Sequence, residues 1–445
     1  MSPESTDRLS KFDAVFSGGN RLRVSGRVIQ VVGLVIESEG PLAAIGEVCR
    51  LIDRKGREIC RAEVVGFRDE RILSMVLGEM HDIAPGTEIV STGRSLEVGL
   101  GDAILGRILD GLGNPIDGLG ELTVSERRSI YAAPPNPFLR ERISQPIATG
   151  IRAIDAMLSV GKGQRVGIFS GSGVGKSTTM GMMARNSSAD VNVICLVGER
   201  GRELRDFIEK DLGPEGIARS VIVVATSDQP ALARIKSALL ATTIAEYFRD
   251  KRLDVMLMVD SVTRFAMAQR EVGLAVGEPP TTKGYTPSVF ALLPKLMERA
   301  GTSERGTITG FYTVLVEGDD MNEPIADAAR GILDGHIILS RSLASKGHYP
   351  AVDVLNSVSR VMPDIVPRDH MQVAGRIQEL LATYSENEDL ISVGAYKKGG
   401  NAKIDRAIEM RDAINDFLTQ DVHESASLRD TLGRLYALAG GASKT

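Results

Sequence analysis

The 445-residue chain has no tryptophan, and aromatic residues make up only 4% of it. Platforms on which nucleic-acid bases stack are therefore sparse. An excess of positive charge is also missing. The net charge is −5, where nucleic-acid binders usually carry a basic field. Cysteine is scarce: Cys49, Cys60 and Cys195 are an odd number with no CxxC pair. That excludes a disulfide scaffold and predicts reduced, buried thiols, Cys195 lying inside the apolar run VICLV. No run of about 18 apolar residues occurs, so no membrane-spanning helix is expected. The opening MSPESTDRLSKFDAVF lacks the apolar centre of a secretory leader, and a cytoplasmic location is expected. Against these absences, hydrophobic residues reach 43% and charged residues 25%. The chain can bury a sizeable core, and its length suits about three domains.

The pattern changes along the chain. Residues 1–20 are polar, and a mobile segment is expected there. Residues 21–98 read as short β-branched strands: RLRVSGRVIQVVGLVIES, EVCRLI, EICRAEVVGF and RILSMVL. Turns at Glu39-Gly40 and Ala84-Pro85-Gly86 separate them, and a small closed barrel suits such a segment. Residues 99–145 are rich first in Gly and Asp, then in Pro, which marks a connection leading into the next domain. From about residue 150, RVGIFS, VNVICLV, VIVVAT, DVMLMVD and TITGFYTVLV alternate with helical stretches. Pro230 suits the first turn of one such helix, with Asp228 near its cap. Buried strands alternating with helices imply an α/β domain over 99–370, its parallel sheet covered on both faces. Residues 371–445 read as a helical domain after a short ISVGAY segment. Ile404, Ile408, Ile414 and Phe417 fall there at helical spacing.

The strongest signal is Ser170-Gly171-Ser172-Gly173-Val174-Gly175-Lys176-Ser177, between a predicted strand and a predicted helix. The strict phosphate-loop pattern begins with Gly, where this chain has Ser170. Gly171, Gly173 and Gly175 let backbone N–H groups turn around phosphate oxygens, and Ser172 and Val174 complete the loop. Lys176 reaches the β- and γ-phosphates, the Ser177 hydroxyl suits Mg²⁺, and Thr178 adds an α-phosphate contact. ATP with Mg²⁺ is the expected ligand pair.

An acid at the end of a neighbouring strand completes such sites. Asp260 closes the run VMLMVD and fits the Mg²⁺ role; capping the next helix is its alternative. Glu199 follows VNVICLV at the carboxyl edge of the sheet, where it suits the base that orients and activates water. Glu203, four residues on, would share the same helical face, and it either supports Mg²⁺ from behind or is a solvated helix glutamate paired with Arg200 or Arg202.

GSGVGKST, VGERGREL and LMVDSVTRFA together resemble the catalytic subunits of the rotary ATPase superfamily, over nearly the whole chain. That resemblance implies a RecA-like P-loop core between an N-terminal β-barrel and a C-terminal helical domain. The glutamate of Gly-Glu-Arg implies hydrolysis. DLGPEG, GEPPTTKGYTPSVFALLPKLMERAG and HYPAVDVLNSVSRVM narrow the resemblance to type III protein-export ATPases. Residues 281–285 look more like flagellar members than virulence-secretion ones.

The resemblance further implies that Tyr349 stacks on adenine, the alternative being a half-buried structural tyrosine. Arg360 matches the finger that reaches a neighbouring subunit's γ-phosphate, the alternative being a surface or capping arginine. A homohexamer follows, with the Gly273–Ser288 loop facing a central stalk-like partner. A stator-like regulator, peripheral contact with a membrane export gate at the inner face of the cytoplasmic membrane, and export substrates with their chaperones are the other expected partners. Rival readings are the catalytic subunit of a proton-translocating ATP synthase and a RecA-like nucleic-acid translocase. Glu199 and Arg360 in one chain permit a homomeric ring with six identical sites, and the Val/Ile-rich barrel speaks against nucleic acid.

Overall fold

The computed structural model describes residues 24–316, 318 and 320–440. The segment expected to be mobile, 1–20, lies outside them. Contacts divide the chain into two compact units, 1–97 with 275–277 and 98–274 with 278–445.

The first unit holds a closed antiparallel barrel: β1 (Ser25–Val32), β2 (Val35–Glu39), β3 (Glu47–Ile52), β4 (Glu58–Arg68), β5 (Arg71–Val76) and β6 (Glu88–Ser95). The order is β1-β2-β5-β4-β3-β6, and pairing of β1 with β6 closes the circle. Closure removes the open edges that β-branched strands would otherwise present. Val28, Ile36, Leu51, Ala62 and Val76 fill one core cluster, and Cys49, Val64, Ile72 and Ile89 a second. Burial pushes the Cys49 thiol up to about 12, as expected of an unreactive core thiol.

The second unit is built on one nine-stranded sheet. Its path uses β7 (Ile108–Asp110), β8 (Arg165–Ser170), β9 (Val191–Val197), β10 (Ser220–Ala225), β11 (Asp254–Asp260), β12 (Thr307–Leu315), β13 (Gly335–Leu339) and β14 (Val358–Ser359). The order is β14-β13-β8-β12-β11-β9-β10-β7, with Gly301–Thr302 paired to β12 off this path. The six strands from β8 to β13 run parallel, as does β7 beside β10; β14 is antiparallel to β13. Continuous apolar runs such as VNVICLV are wholly buried, as a sheet covered on both faces requires.

The helices that matter for the site are α1 (Arg152–Met157), α2 (Lys176–Asn186), α3 (Gly201–Asp206), α4 (Ala231–Asp250), α5 (Pro287–Met297), α6 (Arg368–Ser392), α7 (Ala402–Leu418) and α8 (Leu428–Leu438). One core cluster runs from Ile168 and Ile194 in the sheet through Ile154 and Met183 to Val373, Phe417 and Leu435. The C-terminal helices thus share a core with the nine-stranded sheet. No helix among the described residues is long and apolar enough to cross a membrane.

Several local expectations need correcting. Pro230 stands one residue ahead of α4, which has no side-chain cap, and Asp228 bonds Thr226 instead. ISVGAY is the end of α6 and the turn after it, because no neighbouring strand is there to pair it. Ile408 is 37% exposed, whereas Ile404, Ile414 and Phe417 are buried. The loop expected from Gly273 begins later, since a helix runs Val262–Val276, and Tyr285 turns inward against Phe290 beneath the Arg270 guanidinium.

Candidate active site

β8 delivers the chain into the glycine-rich turn, and α2 starts at Lys176. Gly175 sits at φ +85°, a left-handed conformation that glycine adopts without a Cβ penalty. It precedes the helix with no side-chain cap, so first-turn N–H groups remain available to an anion. A Cβ built on Gly175 would stand 3.4 Å from two ring carbons of Tyr349. Tyr349 therefore lies against the phosphate loop while 42% of its surface stays exposed. A ring with one face supported and the rest open can receive a base.

Beneath the loop, Lys176 Nζ lies 2.5 Å from Asp260 Oδ1 and 3.5 Å from Glu199 Oε1. Two strands supply the acids: Asp260 ends β11, and Glu199 stands two residues past β9. Asp260 is 3% exposed, and the Thr313 hydroxyl on the neighbouring strand β12, between β11 and β8, donates to its Oδ1 at 2.6 Å. The Glu199 backbone is tied by Ser227 N, which donates to its carbonyl at 3.1 Å.

Burial works against charge on Lys176, but the adjoining Asp260 and Glu199 carboxylates outweigh it and hold the ammonium above its usual range. For Glu199, burial pushes the pKa up and Lys176 pulls it back. The negative charge of Asp260 and the contact with Glu203 push it up further, and the net direction is upward. A carboxylate poised above its usual range accepts a proton more readily, the property a general base needs.

Glu203 takes up the second of its two expected surroundings, a solvated pairing with Arg200. Its carboxylate pairs with Arg200 at 3.2 Å and is about half exposed, while it also contacts Glu199. Glu199 itself precedes α3, so the two do not share a helical face. Thr178 meets the Asp211 side chain rather than facing the loop alone. Asp211 lies in a π-helical turn, Phe207–Leu212, that packs on α2 where only glycine fits; a Cβ on Gly181 would stand 2.6 Å from the Asp211 carbonyl oxygen. Arg360 is apart from this cluster. It follows the edge strand β14, is exposed, and donates to the Arg330 carbonyl at 3.3 Å.

Three residues escape a sequence reading. Thr313 is a hydroxyl inside an apolar strand, a visible signal whose target Asp260 is far away in the chain. Arg264 packs its stem over Gly198, and its Nε is buried without a protein partner. Asp211 is the third. Among the described residues no three His, Cys, Asp or Glu side chains gather into a metal cage.

Comparison with known proteins adds the lineage. Residues 28–93 match the profile described as ATP synthase alpha/beta family, beta-barrel domain. Residues 150–359 match the nucleotide-binding domain of the same family. Residues 366–437 match the T3SS EscN ATPase C-terminal domain. The flagellum-specific ATP synthase of Bacillus subtilis is 57% identical, covering 93% of this chain and 95% of that one. A type 3 secretion system ATPase of Xanthomonas euvesicatoria is 52% identical over 94% of each. The assembled ATPase EscN of enteropathogenic E. coli superposes with a TM-score of 0.88 at 44% identity, covering 93% of this chain and all of that one. EscN in complex with its central stalk EscO gives a TM-score of 0.86 at 43% identity with the same coverage.

Proposed function

The chain belongs to the ATP synthase alpha/beta family and is an ATPase, and we propose that it is a ring-forming motor assisting export of flagellar proteins through a type III secretion apparatus. The observation that carries this is the cluster below the phosphate loop, where Lys176, Glu199 and Asp260 converge within 3.5 Å of the ammonium. Gly171 to Thr178 cradle the triphosphate, and Lys176 neutralises it. Glu199 accepts the proton of the attacking water. Tyr349 supports the base.

The donor set suits Mg²⁺. One hydroxyl, Ser177, and one nearly buried carboxylate, Asp260, leave room for waters and phosphate oxygens, as magnesium prefers. When bound, the ion neutralises developing phosphate charge. Glu203 steadies Glu199 and the outer shell from the solvent side.

Arg360, just past the edge strand β14 and apart from its own Lys176, is suited to act on a neighbour's nucleotide. The assembled form of EscN and its stalk complex support a homohexamer with a central stalk-like partner. A stator-like regulator, the membrane export gate, and export substrates with chaperones complete the reading, with the ring held peripherally at the inner membrane face. The division into 21–98, 99–370 and 371–445 goes with these roles. The C-terminal match to a type III secretion domain speaks against a synthase subunit. Both a flagellar and a virulence-type relative are similar, and the 281–285 segment favours the flagellar reading.

The test is ATPase rate against protein concentration, for wild type, Arg360→Ala and Glu199→Gln. A finger acting in trans is worth roughly 10³–10⁵ in rate, so specific activity should rise cooperatively with concentration. Each mutant should be nearly dead alone, and mixed rings should regain activity where an intact finger faces an intact site. A concentration-independent rate with Arg360→Ala fully active overturns the ring mechanism.

A further inference from the structure

The connector between α7 and α8 reaches the site through Gln420, which is 3% exposed. Its Oε1 accepts from Arg152 N at 2.9 Å. Its Nε2 donates to the Gly150 carbonyl at 2.8 Å and to the Glu424 carbonyl at 2.9 Å. Both amide protons are thus committed to fixed carbonyls, so the side chain has a single orientation. The backbone N–H of the same residue donates to the Tyr349 carbonyl at 2.9 Å. Gln420 therefore ties together the chain leading into α1, the C-terminal connector and the tyrosine that rests on Gly175.

Neighbouring bonds make the connector a rigid anchor. Arg152, 3% exposed, donates through Nε to the Phe417 carbonyl at 2.9 Å, and its other nitrogens reach the Thr419 carbonyl and the Glu424 carboxylate. Arg185, in the last turn of α2, donates to the Val422 carbonyl at 2.6 Å. The helix that opens at the phosphate loop thus holds the connector that holds Tyr349.

We propose that Gln420 is a positioning residue for the nucleotide base, fixing Tyr349 against the phosphate loop so that base and triphosphate are bound as one unit. The inference rests on Tyr349 being the base platform. Gln420 touches none of Lys176, Glu199 and Asp260, so it acts on binding of the base and leaves the chemical step alone. A residue that merely stabilised the fold would weaken every ligand alike. One that places Tyr349 weakens only ligands that carry a base.

The experiment is steady-state ATPase kinetics on the full chain, with inorganic tripolyphosphate as a baseless competitive inhibitor. Gln420→Met keeps the length and loses all side-chain hydrogen bonds. Gln420→Glu keeps the acceptor for Arg152 N but opposes a carboxylate to two carbonyls. Gln420→Met should raise the KM for ATP about five-fold, the size of one net hydrogen bond, with kcat within about two-fold, and Gln420→Glu should raise it further. Tyr349→Ala should raise KM about ten-fold or more, as loss of base stacking does. Inhibition by tripolyphosphate should be unchanged in all three. Should Gln420→Met fold poorly, Gln420→Asn, which shortens the amide by one methylene, gives a smaller effect in the same direction. If Gln420 variants keep the wild-type KM while Tyr349→Ala raises it, the role of Gln420 is wrong and the platform stands. Parallel weakening of tripolyphosphate and ATP also overturns the proposal. If Tyr349→Ala leaves KM untouched, the platform reading itself falls.

Discussion

Glu199 is where the physics of single residues is most exposed to test. Burial, Asp260 and Glu203 raise its pKa, and only Lys176 opposes them. A general base works deprotonated, so the acid limb of kcat/KM follows its pKa. Glu203→Gln removes one of the upward pushes. The pKa of Glu199 should then fall, and the acid limb should move to lower pH, which a pH–rate profile reads directly. A limb that stays put or moves up would mean that Glu199 is not the group titrating. At this scale the sequence was informative wherever a residue's role depends on its neighbours in the chain. Lys176 opens α2 directly after the glycine-rich turn, and Glu199 and Asp260 stand just past or at a strand end, each beside a recognisable pattern. Thr313 was not legible, because its role is a bond to Asp260, which stands 53 positions earlier in the chain. The sequence around Thr178 points to a phosphate contact alone, because nothing local announces the Asp211 side chain beside it.

At the scale of elements, long apolar runs were decisive and short ones were not. The five predicted strands of the sheet all form. β7 was hidden in a Gly/Asp-rich stretch that reads as a connection. It forms because Asp117 accepts from Arg107 at 2.7 Å and from Ile108 N at 3.0 Å, folding the stretch back so that β7 can pair with β10. A different tie joins α4 to the end of α5. Arg299, 2% exposed, donates to Glu246 at 2.6 and 2.8 Å, to the Ile130 carbonyl at 2.7 Å and to the Thr243 hydroxyl at 2.8 Å. Removing one partner of such a buried pair strands the other charge away from water, at a cost of about 3–5 kcal/mol. Glu246→Ala should lower the urea midpoint accordingly, and the double variant Arg299→Met with Glu246→Leu should recover much of the loss. A single variant that costs under about 1 kcal/mol would show that the pair is better solvated than its burial implies.

For the whole molecule, the succession of barrel, sheet and helices is legible because each has its own periodicity. That the C-terminal helices share one core with the sheet is not, since Val373, Phe417 and Leu435 find Ile154 and Met183 only through the fold. Charge is the whole-molecule property that best separates the rival functions. A translocase of the same core architecture needs a basic track with stacking aromatics, and its binding weakens steeply with salt as counterions return to the phosphates. This chain carries a net −5 and no tryptophan, and its barrel core is aliphatic. Single-stranded RNA added at low salt should therefore leave the ATPase rate unchanged, and filter binding should detect no complex that decays with a steep salt slope. Low salt is the demanding condition, because non-specific attraction is strongest there. RNA that raised turnover at low salt and lost its effect as salt rose would assign the motor to nucleic acid, whatever the similarity of its site to export ATPases.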